Sequence, residues 1–280
     1  MPSGKRTKRI EENFRTKTKG KSRDLIPKTM PEKFEPQFFK PEEAPKEASE
    51  EVLGKEVEGA RKETETILKE KEIAWENKMR EIEEITDPLG EKIDDGIKET
   101  VAAFNLNGFP TSGSCEGHLD RGKAAPWIEV SAPNQPEERF EGEKEVFQRV
   151  ADKYKVSFET VKRGIHHNAY VEALKESSNA DETPEYKQWR KENKKLMGKA
   201  DSLLEEFYRE KEIPSDIKLI IDEGGEGEFR IHNGGKDYNL DLEKLTNKQK
   251  GELSQRLSRY QKEMQEFGKF LKEKYLRDEN

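Results

Sequence analysis

Apolar residues recur at helical spacing along most of this chain, and only in a few short stretches does the period shorten to that of a strand. Ile93, Ile97, Val101 and Phe104 are separated by four, four and three positions, which puts them on one face of a helix. Asp87-Pro88 supplies a start for that helix, with Asp87 as N-cap and Pro88 in the first turn, and Gly108 supplies its C-cap. Upstream, residues 47–86 read as one long charged helix. Its stripe of Leu53, Val57, Ala60, Ile67 and Ala74 is thin and shifts register near Trp75. Residues 141–154 and 157–176 read as further helices, and a long charged helix runs from Pro184 to Lys211. Thr246 opens a last helix that ends near Tyr275.

Strand signals are shorter. Pro126-Trp-Ile-Glu-Val-Ser131 reads as a core strand, and Ile217–Asp222, Glu228–His232 and Lys236–Leu240 as three more. Glu223-Gly-Gly-Glu-Gly and Asn233-Gly-Gly supply the turns between them. This order predicts an α+β fold, helix-dominated, with a small antiparallel sheet and long charged helices.

Composition changes the picture at the N-terminus. Charged residues make up 40% of the chain and hydrophobic residues 30%, against about 25% charged in an ordinary domain. The excess charge predicts long solvated helices and a segment with no core. Residues 1–46 are the expected segment, a disordered basic arm in which Pro27, Pro31, Pro36, Pro41 and Pro45 exclude a helix. The expected organisation is an arm over 1–46, a charged helix over 47–86 and an α+β core over 87–280. No apolar run approaches the roughly 18 residues that span a bilayer, and no apolar stretch follows the basic N-terminus as in a secretory signal. The single cysteine excludes an internal disulfide and fits a reducing compartment. The expectation is a soluble cytoplasmic protein with no membrane partner.

Chemistry concentrates in Thr111-Ser-Gly-Ser-Cys-Glu-Gly-His-Leu-Asp120, read as a loop between the helix and the Trp127 strand. Elsewhere the polar residues are mostly Lys and Glu; here they are hydroxyls, glycines, a thiol, an imidazole and two carboxylates. Thr111, Ser112, Ser114, Glu116, Gly117 and Asp120 are the candidate ligand-binding residues, because hydroxyls and glycine amides can wrap an anion or a ribose. Cys115 and His118 are the candidate catalytic pair, because a thiol three positions from an imidazole can form a thiolate–imidazolium pair. The same two can chelate a metal. Zinc sites take three or four protein ligands, however, and His166, His167 and His232 lie far away in sequence. No metal is therefore assigned. The bland alternative is ordinary turn chemistry with Cys115 as a small buried hydrophobe.

The same segment resembles the signature region of the wybutosine-synthesis tRNA methyltransferases, in which a Thr-Ser-Ser-Cys-Ser-Gly-Arg loop follows an amphipathic helix. Thr111, Ser112, Ser114, Cys115 and Gly117 match; His118 replaces the arginine, Glu116 a serine, and Gly113 stands where the family has a serine or nothing. The similarity runs from Asp87 to Val130. The full Thr-Ser-x-Ser-Cys-Glu-Gly-His form is closer still to bacterial proteins without an assigned function. The methyltransferase resemblance implies S-adenosylmethionine as cofactor and a tRNA substrate.

Two other features bear on partners. Val150–Arg163 resembles a helix-turn-helix: Ala151 takes the crowded position, Ser157 caps the second helix, Val161 packs inward, and Thr160, Lys162 and Arg163 would face DNA. Plain helix packing gives the same pattern. The N-terminal arm carries Lys5, Arg6, Lys8 and Arg9 within residues 1–28, where ten Lys/Arg and three Asp/Glu give +7, leaving −14 for the rest of a chain whose total is −7. Those cations can neutralise RNA or DNA phosphates without reading sequence. The chain has no dinucleotide-binding glycine motif after a strand, no Walker loop, no His-Glu-x-x-His and no Gly-x-Ser-x-Gly elbow. Two functional expectations follow. One is a ligand or nucleotide site at Thr111–His118, related to RNA modification. The other is a non-enzymatic interaction or nucleic-acid-binding protein that uses the tail, the charged helices and residues 150–163.

Overall fold

A computed structural model describes residues 50–87, 90–224 and 227–277 of the chain. The expected arm and its candidate nucleic-acid residues Lys5, Arg6, Lys8 and Arg9 lie outside the described residues. Leu53–Asn280 forms one compact unit. Seven α-helices are described: α1 (Glu50–Glu84), α2 (Lys98–Leu106), α3 (Glu143–Tyr154), α4 (Phe158–Lys162), α5 (His167–Ser177), α6 (Pro184–Tyr208) and α7 (Asn247–Arg277). Four antiparallel strands, β1 (Thr111–Cys115), β2 (Trp127–Val130), β3 (Leu219–Glu223) and β4 (Phe229–Asn233), form one sheet in the order β1-β2-β4-β3. The fold is α+β and helix-dominated. Among the described residues no helix is long and apolar enough to cross a membrane.

One sheet face builds the main core. Ile128, Val130, Leu219, Phe229 and Ile231 pack there with Val101 and Phe104 of α2, Phe207 of α6, and Met264, Phe267 and Leu271 of α7. Phe104 and Phe207 both meet the Phe267 ring, at 5.8 and 5.1 Å between centroids. Trp75 and Ile82 join the same cluster, so the second half of α1 packs along this core. The opposite face carries two rows, Cys115–Trp127–His232–Ile220 and Gly113–Glu129–Arg230–Asp222. A smaller cluster of Phe147, Val150, Ala151, Val161, Ala169 and Ala173 holds α3, α4 and α5 together.

Several elements differ from expectation, each for a local reason. Residues 111–115 form an edge strand rather than the start of a loop. Ser114 and Cys115 pair with Ile128 and Trp127, and a bulge between Thr111 and Gly113 absorbs the irregularity. The Trp127 ring lies against Gly113, where a Cβ would stand 3.1 Å from it. The helix expected from Asp87 begins only with a 3-10 turn at Asp95–Ile97 that leads into α2. Asp87 instead caps a local turn, accepting the Glu91 amide at 2.9 Å. The expected 157–176 helix breaks at Gly164, whose φ is +68°, and resumes at α5 with His166 as its cap. Lys236–Asn239 is a 3-10 turn rather than a strand. Asn233-Gly-Gly makes no hairpin because the Asn233 amide donates to the Ile217 carbonyl (2.5 Å) and Gly234 N–H to that of Lys218 (2.8 Å), tying this stretch to the chain before β3.

Candidate functional site

The turn after β1 is built by glycine and closed by backbone. Gly117 has φ +85°, and a Cβ there would lie 2.8 Å from both the Ala125 carbonyl carbon and Leu257 Cδ1, so only glycine fits. His118 N–H donates to the Lys123 carbonyl at 2.8 Å, which fixes where the imidazole starts. From α7, Gln261 Nε2 donates to the Glu116 carbonyl at 3.2 Å, and Gln265 Nε2 to the Gly96 carbonyl at 3.1 Å. Two rigid elements, the sheet and α7, therefore hold this turn.

Facing the turn is Asp94, in extended backbone just before the Asp95–Ile97 turn. The two segments exchange hydrogen bonds: Glu116 N–H donates to Asp94 Oδ2 at 3.1 Å, and Gly96 N–H donates to Glu116 Oε2 at 2.8 Å. Asp94 Oδ2 also meets His118 Nε2 at 3.1 Å, and the Arg121 guanidinium stands 3.6 Å from Oδ1. The His118 and Asp94 side chains are 13% and 21% exposed, enough to be reached from solvent and little enough to be held in place. Asp94, Cys115 and His118 each present one donor atom, and the three atoms lie within 4.8 Å of one another.

Burial pushes the Cys115 thiol above its ordinary range. The Gly117 N–H, which donates to Sγ at 3.3 Å, and the Arg121 charge pull the other way, while Asp94 and Glu116 reinforce the rise. The imidazole meanwhile pairs with Asp94. This arrangement works against the thiolate–imidazolium pair that the Cys-x-x-His spacing suggests.

Of the residues singled out in the sequence, Cys115, Glu116, Gly117 and His118 come together. Others do not join them. Thr111 Oγ1 accepts from Asn105 Nδ2 at 3.1 Å, and Ser112 Oγ donates to Glu129 at 3.1 Å. Ser114 shares a row with Ile128. Asp120 is 77% exposed. The hydroxyls of Thr111 and Ser112 are thus spent on protein partners rather than gathered into an anion cradle. Asp94 was missed in the sequence because Ile93 and Ile97 carry the helical stripe straight through it. Its one signal was the Asp94-Asp95-Gly96 run, an awkward sequence for a helix interior.

The cavity bordering Glu116, lined also by Gly96, Pro126, Gln261 and Gln265, measures about 180 Å³, well below the roughly 300–1,000 Å³ of pockets for cofactor-sized ligands. A larger recess of about 710 Å³ lies between residues 135–139 and helices α3 and α4, and shares no residue with this site. In the three-helix unit Ala151 and Val161 are fully buried, and Ser157 caps α4 by accepting the Thr160 amide, as both the helix-turn-helix and the plain packing readings require. The side chains expected to face DNA are engaged locally. Arg163 pairs with Glu159 at 3.6 Å, and Lys162 lies over the Phe158 ring. Comparison with protein-family models, with curated proteins and with solved structures finds no match for this chain.

Proposed function

We infer that this chain is a ligand-binding protein whose site is the turn 115–118 together with Asp94, and that its ligand is small. The convergence of Asp94, Cys115 and His118 donor atoms within 4.8 Å, on a turn held by both the sheet and α7, carries this reading. Size and charge define the ligand further. The cavity of about 180 Å³ beside Glu116 is lined by none of Asp94, Cys115 and His118, so the reading of a small ligand rests on the close spacing of those three donor atoms. Asp94 and Glu116 set two carboxylates against the Arg121 guanidinium, which disfavours a phosphate. S-adenosylmethionine, implied by the methyltransferase resemblance, is larger than the cavity of about 180 Å³ beside Glu116 holds.

Thermal shift of the full chain tests the site. The probes are S-adenosylmethionine, nucleotides, small amines and divalent metals, each run on wild type, Ser114→Ala and His118→Ala. Small probes should stabilise the wild type, and His118→Ala should lose that stabilisation, its own melting temperature falling only modestly through loss of the Asp94 hydrogen bond. Absence of any response, with both variants losing on the order of 1–3 kcal/mol through unpaired buried groups, would make the segment purely structural.

A second reading rests on charge. The +7 of residues 1–28 against −14 for the remainder favours polyanion contact through the tail alone.

A further inference from the structure

We propose that Asp94 Oδ, Cys115 Sγ and His118 Nε2 are three ligands of a zinc-class divalent metal ion whose fourth position is open to solvent; the proposal rests on the ligand site inferred above. Donor type comes first. One thiolate, one imidazole and one carboxylate form a mixed S, N, O set. A thiolate selects zinc, cobalt and their neighbours over magnesium and calcium, which take oxygen ligands.

Spacing comes second. Zinc bonds of about 2.3 Å to sulfur and about 2.0–2.1 Å to nitrogen and oxygen, at tetrahedral angles, set neighbouring donors about 3.3–3.6 Å apart. His118 Nε2 and Asp94 Oδ2 already stand at 3.1 Å, and all three donor atoms lie within 4.8 Å. Closing the widest of these separations by about 1.2–1.5 Å at most gathers the set around a common ion. The backbone around it is fixed: Gly117 permits the turn, His118 N–H is bonded to Lys123, and the Glu116 amide orients the Asp94 carboxylate. That amide is an outer partner of the kind that orients a metal-binding carboxylate.

Three protein ligands at a partly exposed position leave one position for water or a small molecule, the pattern of catalytic rather than structural zinc. On binding, the Cys115 S–H bond breaks and its proton goes to solvent. The sulfur lone pair forms the bond to the metal. The proton that His118 Nε2 shares with Asp94 passes through solvent to the ring's Nδ1, leaving the neutral tautomer with a free Nε2 lone pair, and that hydrogen bond gives way to two metal bonds. No electron changes hands.

Full-length protein, stripped with a chelator and dialysed, is titrated with cobalt(II) and followed by absorption. The expected result is a thiolate-to-cobalt charge-transfer band in the near ultraviolet, with visible bands of tetrahedral intensity, reversed by zinc and not by magnesium. Cys115→Ser should lose the charge-transfer band. Asp94→Asn and His118→Ala should each weaken cobalt by about tenfold or more, with unchanged far-ultraviolet circular dichroism. A second measurement needs no variant. Cys115 is the only cysteine, so its alkylation by iodoacetamide reports on one atom, and saturating zinc should slow it about tenfold or more. Absence of the band, or an alkylation rate that zinc leaves unchanged, overturns the metal site. Stabilisation by a non-metal probe in the presence of chelator, with no cobalt band, keeps the ligand site and removes the metal from it. Silence in both experiments removes both.

Discussion

Gly117 is the residue on which the site geometry depends, and its two constraints separate cleanly from those on Gly122. Both have positive φ, +85° and +60°, but a Cβ at 117 meets backbone and Leu257 at 2.8 Å, whereas at 122 it meets nothing within 4 Å. Gly122→Ala should cost the left-handed backbone penalty alone, about 1–2 kcal/mol. Gly117→Ala should cost clearly more, and should shift the turn that carries His118. Urea denaturation of the two variants measures the difference, and equal losses would show that the turn gives way freely. His232 offers a test in pH. Burial lowers its pKa, with the Arg230 charge adding to the effect, while the Asn233 carbonyl and Asp222 partly offset it. Its Nδ1–H donates to that carbonyl at 2.7 Å, and the ring stacks on Tyr238. The folded protein thus holds this ring neutral where the unfolded chain would protonate it. Stability from this group is complete above about pH 6.5 and is lost as the pH falls below that value toward the folded pKa, at up to about 1.4 kcal/mol per unit. His232→Gln should flatten that acid slope; an unchanged slope would show that the ring charges without penalty. At this scale the sequence marks Cys115 and His118 clearly, because thiol, imidazole and glycine stand out against Lys and Glu. Asp94 is illegible, since one carboxylate among 60 acidic residues acquires meaning only when the fold brings it to His118.

Elements were legible where a hydrophobic period or a cap decides them. Pro184 behind Thr183 starts α6, and Ser157 caps α4. The Ile97, Val101, Phe104 stripe buries as its spacing requires. They were illegible where a tertiary contact decides. Thr-Ser-Gly-Ser-Cys has no alternation, and β1 forms because β2 offers it a partner strand and Gly113 makes room for Trp127. Lys236–Asn239 reads as a strand by composition, yet it turns because Asp237 is drawn to α7. There Asp237, 3% exposed, accepts from Arg256 Nε at 2.5 Å and from Tyr260 Oη at 3.0 Å. Burial alone would raise the Asp237 pKa, but Arg256 and Tyr260 together outweigh it and hold the carboxyl below its usual range. Asp237→Asn keeps the shape, removes the charge and leaves Arg256 without its carboxylate. It should destabilise the protein by on the order of 1–3 kcal/mol, toward the lower end because Arg256 is 36% exposed. Equilibrium denaturation checks this, and a change under about 0.5 kcal/mol would mean that apolar packing alone holds the 3-10 turn on α7.

Across the whole molecule the charge distribution decides which surface can meet a polyanion. The net −14 outside residues 1–28 repels nucleic acid. Within Val150–Arg163, the one sequence-level candidate for reading DNA, Arg163 stands beside Glu159 and Lys153 beside Glu172, so acidic partners offset part of its positive charge. Any affinity for RNA or DNA should therefore reside in residues 1–28 and depend on counterion release. If those cations neutralise six or more phosphates, binding to a single-stranded or duplex oligonucleotide should fall about 10³-fold or more between 50 and 200 mM salt. Removing residues 2–28 should abolish it at every salt concentration. Neutralising Lys5, Arg6, Lys8 and Arg9 together should lower the slope of log affinity against log salt by about four times 0.7–0.9. Fluorescence anisotropy over a salt series on the three proteins gives all of these quantities. Binding that survives the deletion, or that ignores salt, would place a nucleic-acid site on the acidic body. One place to test for it is the recess of about 710 Å³ beside Phe158 and Tyr170, where Arg139, Lys144 and Lys162 stand among Glu137, Glu138, Glu143 and Glu159. Lys144→Glu and Lys162→Glu should then weaken the residual binding, and if they leave it unchanged the contact lies on neither surface.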